Sequence, residues 1–208
     1  MNDEIPNDEE TTINNEIPDN ETLLTVPANV LRALLVFAAN EDVRFYLNGI
    51  YAECGPAGAR LVATDGHIMA VYKIEGEFAP ASCILPRDLV EAGLRGTKKP
   101  DSVRLKIGAQ CGVGQLAAPA IPGNYAPWRK VIPATTSGEF AHFDFELLAR
   151  IDKAAKLLGV KHSPVLAYND DGPAPVNMGY PNFFAVVMPM HIKPDNLPAI
   201  PDWIHKQV

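Results

Sequence analysis

Asp65 and His67, two residues apart in the string TDGH, are the nearest approach to an acid–base pair in this sequence. General acid–base chemistry needs a carboxylate orienting an imidazole, and covalent catalysis adds a Ser or Cys within hydrogen-bond reach. No such nucleophile stands nearby, and Asp-Gly is turn chemistry, so the pair reads as a turn device. Five histidines (His67, His142, His162, His191, His205) are scattered, none paired with another at metal-ligand spacing. Three cysteines (Cys54, Cys83, Cys111) lie far apart without a CxxC motif. They read as small buried hydrophobes in a reducing, cytoplasmic compartment. Walker, GxGxxG, HExxH, GxSxG and EF-hand patterns are lacking, and the glycines of GPAG and CGVGQ suit turns. The expectation is a protein with no catalytic residue, no metal site and no cofactor, hence not an enzyme.

If the chemistry is binding, the elements that shape a surface matter more. The chain has 208 residues, 47% hydrophobic and 21% charged, enough for one large domain or two small ones. Mean hydropathy is −0.02 and no apolar run reaches membrane-spanning length, so no membrane partner is expected. The start, MNDEIPNDEE, has neither the basic nor the apolar region of a secretory signal. Residues 1–22 carry eight acids and no Lys or Arg, within a net charge of −7. The remaining seventeen acids face all eighteen bases. Residues 1–21 thus read as an acidic, disordered arm on a nearly neutral body.

From Thr22 a pattern sets in and repeats. An apolar run at Leu23–Val26 precedes a helix expected over 29–40, then strands at 43–53, 59–64 and 68–74. A strand at 82–85 precedes a helix from Pro86 to Leu94, with strands expected at 103–107, 112–117 and 128–132. A third pass runs through a strand at 139–143 and a helix from the N-cap Asp144 to Leu158 and Gly159. Strands at 165–169, 175–178 and 183–190 complete it. The repeat is a βαβββ unit of roughly fifty to sixty residues. The expected fold class is α+β, with helices on one face of antiparallel sheets. The outer helix faces lean basic: Arg150, Lys153 and Lys156 on the third helix, Arg87, Arg95, Lys98 and Lys99 on or just after the second, Arg32 on the first. By composition alone these form a solvated face.

Five strings are more specific: RFYLNGIYAE, LVATDGHIMAVY, ILPRDLVEA, NYAPWRKVIP and AVVMPMHI. Together and in this order they resemble the bacterial DNA polymerase III β subunit, the replicative sliding clamp, over most of residues 22–192. The resemblance implies the DNA clamp fold, built from such units in pairs. Residues 22–135 are similar to one complete clamp domain, the middle one, and residues 138–192 to half of the last. A shortened clamp homologue is implied, lacking the first domain and about half of the last.

The resemblance also implies a peptide-binding cleft between these two regions. Carried over by motif, its wall comprises Leu47, Thr64, Gly66, His67, Ile68 and Met69. Lys130 and Val131 join from the WRKVIP string, and Val186, Val187, Met188, Pro189, Met190 and His191 from the last strand. Thioethers and branched aliphatics make an adaptable apolar groove. The partners implied are DNA polymerase and clamp-loader subunits, each inserting a short motif with a Leu or Phe anchor. Duplex DNA would be contacted nonspecifically, by phosphate neutralisation, through Arg32, Arg87, Arg95, Lys98, Lys99, Arg150, Lys153 and Lys156. Departures stand at Ile68 and His191, where the family commonly has Arg, and at Trp128 and Lys130. The chain also continues past the family's last strand as KPDNLPAIPDWIHKQV, a Pro-rich tail with Leu197, Ile200 and Trp203 three residues apart. That tail is expected to pack on its own domain or to occupy a cleft. Twelve units complete a clamp ring, so three per chain would close one only as a tetrameric homo-oligomer. The rival reading is a clamp mimic without a ring, which sequesters or redirects host clamp-binding proteins.

Overall fold

The protein is described by a computed structural model over residues 21–95 and 101–193, with Leu197 and Pro201. The acidic arm except Glu21, Lys98, Lys99 and nearly all of the tail lie outside the described residues.

The first strand, β1 (Thr22–Pro27), alternates inward Thr22, Leu24 and Val26 with outward Leu23 and Thr25. Pro27 halts the extended run, and helix α1 (Ala28–Phe37) starts directly after it. Val30, Leu31, Leu34 and Phe37 are wholly buried, leaving Asn29, Arg32 and Val36 partly exposed. Burial of each such side chain is worth about 2 kcal/mol, so α1 anchors the core. Strands β2 (Gly49–Gly55), β3 (Gly58–Thr64) and β4 (Ile68–Ile74) complete a first βαβββ unit. The second unit is β5 (Ala81–Pro86), α2 (Arg87–Arg95), β6 (Ser102–Ile107), β7 (Gln110–Val113) and β8 (Leu116–Pro119). The third holds α3 (Phe145–Leu158), β9 (Val165–Leu166), β10 (Ala174–Asn177) and β11 (Phe183–Val187). Asp144 caps α3 by accepting from the Glu146 N–H at 2.8 Å, and Gly159 ends it at φ +79°.

Several expected strands differ. Residues 43–48 form a loop and a 3₁₀ turn (Phe45–Leu47), because the Asn48 side chain bonds both the N–H and the C=O of Asp42 and closes the loop. Residues 112–117 are two strands, broken at Gly114 with φ +63°. Trp128–Val131 is a 3₁₀ turn, not a strand. The opening strand of the third unit shrinks to a bridge, His142 to Met190.

The units interlock by exchanging their opening strands. β1 of the first unit pairs antiparallel with β6 of the second, and β5 of the second pairs with β2 of the first. The result is a four-stranded sheet, β1-β6-β7-β8, and a seven-stranded sheet, β5-β2-β3-β4-β11-β10-β9. The third unit extends the larger sheet by laying its last strand, β11, against β4, with Ala185 opposite Ala70 and Val186 opposite Met69. All three helices cover one face of the sheets and share the main core. The opposite face of the seven-stranded sheet carries a second, smaller cluster of Val62, Met69, Val71, Trp128 and Val186. Period-two alternation accounts for both: Ile68, Ala70, Ala185 and Val187 face the helices, while Met69, Val71 and Val186 face the other way. Burial on both faces makes β4 nearly continuously apolar.

A candidate peptide-binding pocket

On that second face, residues 121–132 cross over the sheet. Tyr125 stacks on Tyr51 of β2 with ring centroids 4.8 Å apart and planes 8° from parallel. Trp128 is buried, and the Arg129 guanidinium lies 4.1 Å over its ring while pairing with Glu53. Beside the crossing segment, where β4 meets β11, a cavity of about 200 Å³ opens. Leu47, Thr64, Gly66, His67, Ile68, Met69, Lys130, Val131, Val186 and Met188 line it. Met69 and Val186 are buried, Met188 is half-buried and Val131 is 37% exposed, so the cavity is an apolar depression reached from solvent.

The other four residues expected in the cleft do not line the cavity. Val187 points to the opposite side of the sheet, into the helix-covered core, because it follows Val186 in a strand. Pro189, Met190 and His191 lie past the end of β11, where Met190 bridges to His142 and His191 pairs with Asp171 at 3.2 Å. The cavity is lined instead by Arg44, Tyr46, Ala126, Pro127 and Trp128. The last three sit in the NYAPWRKVIP string, whose two prolines and aromatics signalled a crossing segment better than a strand. Arg44 is bound by Asp42, and its guanidinium holds the Asp42 carboxyl down to about 2.

One turn, 64–68, supports the pocket. Thr64 Oγ1 donates to the Ile68 C=O at 2.7 Å and accepts the Gly66 N–H at 3.0 Å. The Asp65 carboxylate accepts the N–H groups of His67 and Ile68 at 2.8 and 3.0 Å. Both Asp65 and His67 therefore serve the turn and form no acid–base pair. Gly66 sits at φ +96°, and a Cβ there would press on the Arg44 guanidinium at 2.9 Å. The third unit grips the same turn twice. Met188 N–H donates to the His67 C=O at 2.8 Å, and Arg150 of α3 binds Asp65 Oδ2 at 2.5 Å.

Burial raises the Asp65 pKa, but the His67 and Ile68 N–H groups and Arg150 outweigh it, so the net shift is downward. A depressed folded-state pKa means the stabilisation is complete above the unfolded value of 3.8 and is lost as pH falls through the folded one. Asp65→Asn is expected to flatten the acid limb of stability below about pH 4, as read from thermal melts across that range.

Among the expected DNA-facing residues, Arg32 is half-exposed on α1 and Lys153 is exposed on α3. Arg95 pairs with Glu91 at 3.3 Å and Lys156 with Asp152 at 2.6 Å, both at the surface. Arg87 and Arg150 differ: their guanidinium groups are turned onto carbonyls at the end of α1, at Leu35, Ala38 and Ala39 for Arg87 and at Val36 for Arg150. Cys83 and Cys111 are buried, and burial pushes the half-buried Cys54 thiol up to about 11. Among the described residues, no three His, Cys, Asp or Glu side chains gather as a metal site, and no helix is long and apolar enough to cross a membrane.

Comparison with known proteins bears on this geometry. Residues 24–118 match the family described as "DNA polymerase III beta subunit, central domain". The beta sliding clamp of Vibrio cholerae is 34% identical over 131 residues, 59% of this chain and 36% of that protein. The beta sliding clamp of Treponema pallidum is 28% identical over 158 residues, 69% of this chain and 43% of that protein. Matches thus span well under half the length of these relatives. Among solved structures, the DNA polymerase III subunit beta of Pseudomonas aeruginosa aligns with TM-score 0.61 at 17% identity, covering 82% of this chain and 66% of that one. A putative DNA polymerase III beta subunit of Eubacterium rectale aligns with TM-score 0.62 at 13% identity, covering 84% and 66%. At such identities the structural matches establish the fold.

Proposed function

We propose that the chain, whose residues 24–118 match the central domain of the DNA polymerase III β subunit, is a non-enzymatic, sliding-clamp-like platform for replication or repair proteins. Residues 22–135 would form one complete clamp domain of two βαβββ units, and residues 138–192 one further unit. The observation that carries the reading is the apolar cavity at the joint of β4 and β11, flanked by the basic Lys130. A volume of about 200 Å³ suits one large aliphatic or aromatic side chain, with the rest of an extended segment lying along the rim. Polymerase and clamp-loader subunits carrying a short motif with a Leu or Phe anchor are the partners this chemistry fits.

Duplex DNA would meet the helix face through Arg32, Arg95, Lys153 and Lys156. Those contacts would be phosphate neutralisation, without sequence preference and steeply salt-dependent. A second reading keeps the peptide pocket and drops DNA. It is favoured by Arg87 and Arg150, whose charges are committed to α1 carbonyls and so weaken the phosphate-binding face.

The test is fluorescence anisotropy with a labelled peptide bearing a C-terminal Leu-Phe anchor. Met188 is half-buried at the pocket wall, so Met188→Asp should fold normally and lose at least about ten-fold in affinity, as expected for an anchor site. Equal affinity in wild type and variant would remove the pocket reading. The same titration with duplex DNA at rising salt separates platform from mimic: peptide affinity without DNA affinity leaves the second.

A further inference from the structure

Past β11 the chain crosses the opening of the third unit. Met190 N–H donates to the His142 C=O at 2.7 Å, and His191 pairs with Asp171 at 3.2 Å. There it meets a row of aromatic rings. The His142 and Phe140 rings stand perpendicular with centroids 4.9 Å apart, Phe140 lies 5.5 Å from Tyr168, and Tyr168 lies 6.3 Å from Phe143. The row faces solvent: Phe140 is 65% exposed, Tyr168 42% and the adjoining Met190 41%. Single exposed apolar residues are ordinary, but a contiguous aromatic row marks a docking surface. None of these residues lines the pocket between β4 and β11.

The sequence that follows suits such a row. In KPDNLPAIPDWIHKQV, Lys193, Leu197 and Ile200 each precede a proline, which disfavours helical backbone and favours the extended polyproline II conformation. Three residues make one turn of that conformation, so Leu197, Ile200 and Trp203 share one edge at intervals of about 9 Å. Pro198 and Pro201 share another. Leu197 is 48% exposed and Pro201 is exposed, which fits an outward proline edge beside a partly covered apolar one. The ten steps from Lys193 to Trp203 span about 31 Å in this form, enough to follow the row from His142 onward. Polyproline II segments bind aromatic-lined surfaces well because they are preformed and lose little entropy on docking.

We infer that the occupant of the aromatic row is residues 194–203 of the same chain, laid along Phe140 and Tyr168 as a polyproline II strap with Ile200 and Trp203 turned onto the rings. Its starting point is fixed by Met190 and His191, so the docking is intramolecular and local. The strap covers apolar surface that the third unit otherwise leaves in water, and its prolines restrict the undocked segment as well, which lowers the ordering cost. The inference is independent of the peptide pocket, which stays open.

The test uses the intrinsic fluorescence of the full chain. Its tryptophans are Trp128 and Trp203, so subtracting the spectrum of Trp203→Phe from that of wild type isolates Trp203 without disturbing the core. Trp203 should emit at shorter wavelength than a synthetic 194–208 peptide and be quenched several-fold less by acrylamide, equally at low and high micromolar concentration. Phe140→Ser, at an exposed position, should shift the emission to that of the free peptide with the circular dichroism spectrum retained. Ile200→Ser should do the same, whereas Ala199→Ser, off the apolar edge, should not. Peptide-like emission in wild type overturns the inference. So does a shielded Trp203 that Phe140→Ser leaves shielded, that Met188→Asp releases from the pocket, or whose shielding appears only at high concentration, as donation to a second copy would give.

Discussion

Arg150→Ala is expected to lower the stability of the folded chain by about 3 kcal/mol and to weaken peptide binding, although Arg150 does not line the pocket. Its guanidinium joins three elements. Nε and Nη2 donate to the Val36 C=O at 3.2 and 2.7 Å, at the end of α1, and Nη1 binds Asp65. The side chains of Arg150 and Asp65 are only 28% and 14% exposed, so neither partner is replaced by bulk water when the other is removed. Without Arg150, the Asp65 carboxylate keeps the His67 and Ile68 N–H groups but loses its cation in a half-buried setting. The 64–68 turn then keeps Met188 and the Ile68–Val187 pairing but loses its tie to α3, and Thr64, Gly66, His67 and Ile68 at the cavity wall lose that support. Urea melts should show the stability loss, and peptide anisotropy a several-fold weaker Kd. A double-mutant cycle with Asp65→Asn should show that the second substitution costs less in the Arg150→Ala background. Arg150→Lys should recover only part of the loss, because an ammonium cannot fork between a carbonyl and a carboxylate. Unchanged stability would mean that the third unit is held by strand pairing alone.

This arginine also shows where sequence reasoning stops. The repeat, the three helices and most strands were legible because they are local: period-two alternation in β1 and β6, Asp144 before α3, Gly159 after it. The pocket was legible largely through the TDGH and VVMPM strings, and alternation alone would have removed Val187 from it. Two features depend on specific side-chain contacts that helix and strand periodicity does not encode, and were not legible. The 43–48 and 128–132 segments, with their aromatic and β-branched residues, satisfy strand preferences, yet Asn48 clamps the first into a loop and the stacking of Tyr125 on Tyr51 docks the second across a sheet face. The second feature is the end of α1. Ala38 and Ala39 follow that helix with no glycine and no polar cap, so its last carbonyls need donors from elsewhere. Arginines 52 and 114 residues away supply them, and in the sequence those two look no different from the basic residues on the open helix faces.

Arg87→Ala is therefore expected to cost about 3 kcal/mol of stability, where a phosphate-contacting residue on an open face would cost almost nothing. Arg87 Nη1 lies 3.1, 3.1 and 3.2 Å from the carbonyl oxygens of Leu35, Ala38 and Ala39, and Nε donates to Glu91 at 2.9 Å. Its own N–H bonds the Asn48 C=O at 3.0 Å, so the residue ties α2 to the end of α1 and to the start of β2. Truncation leaves three partly buried carbonyls at a helix end where the macrodipole already concentrates negative charge, and Glu91 without its nearer cation. Arg87→Lys should remain well below wild type, since one ammonium on a shorter reach cannot serve three acceptors and a carboxylate together. Combining Arg87→Ala with Arg150→Ala removes both guanidinium groups from one helix terminus, and the losses should not simply add. Lys153 is the contrast. It is exposed on α3, so Lys153→Ala should leave thermal stability within about 0.5 kcal/mol while reducing the salt slope of any duplex binding by about one. Equal stability losses at Arg87 and Lys153 would contradict the division between cations that hold α1 in place and cations left free for phosphate.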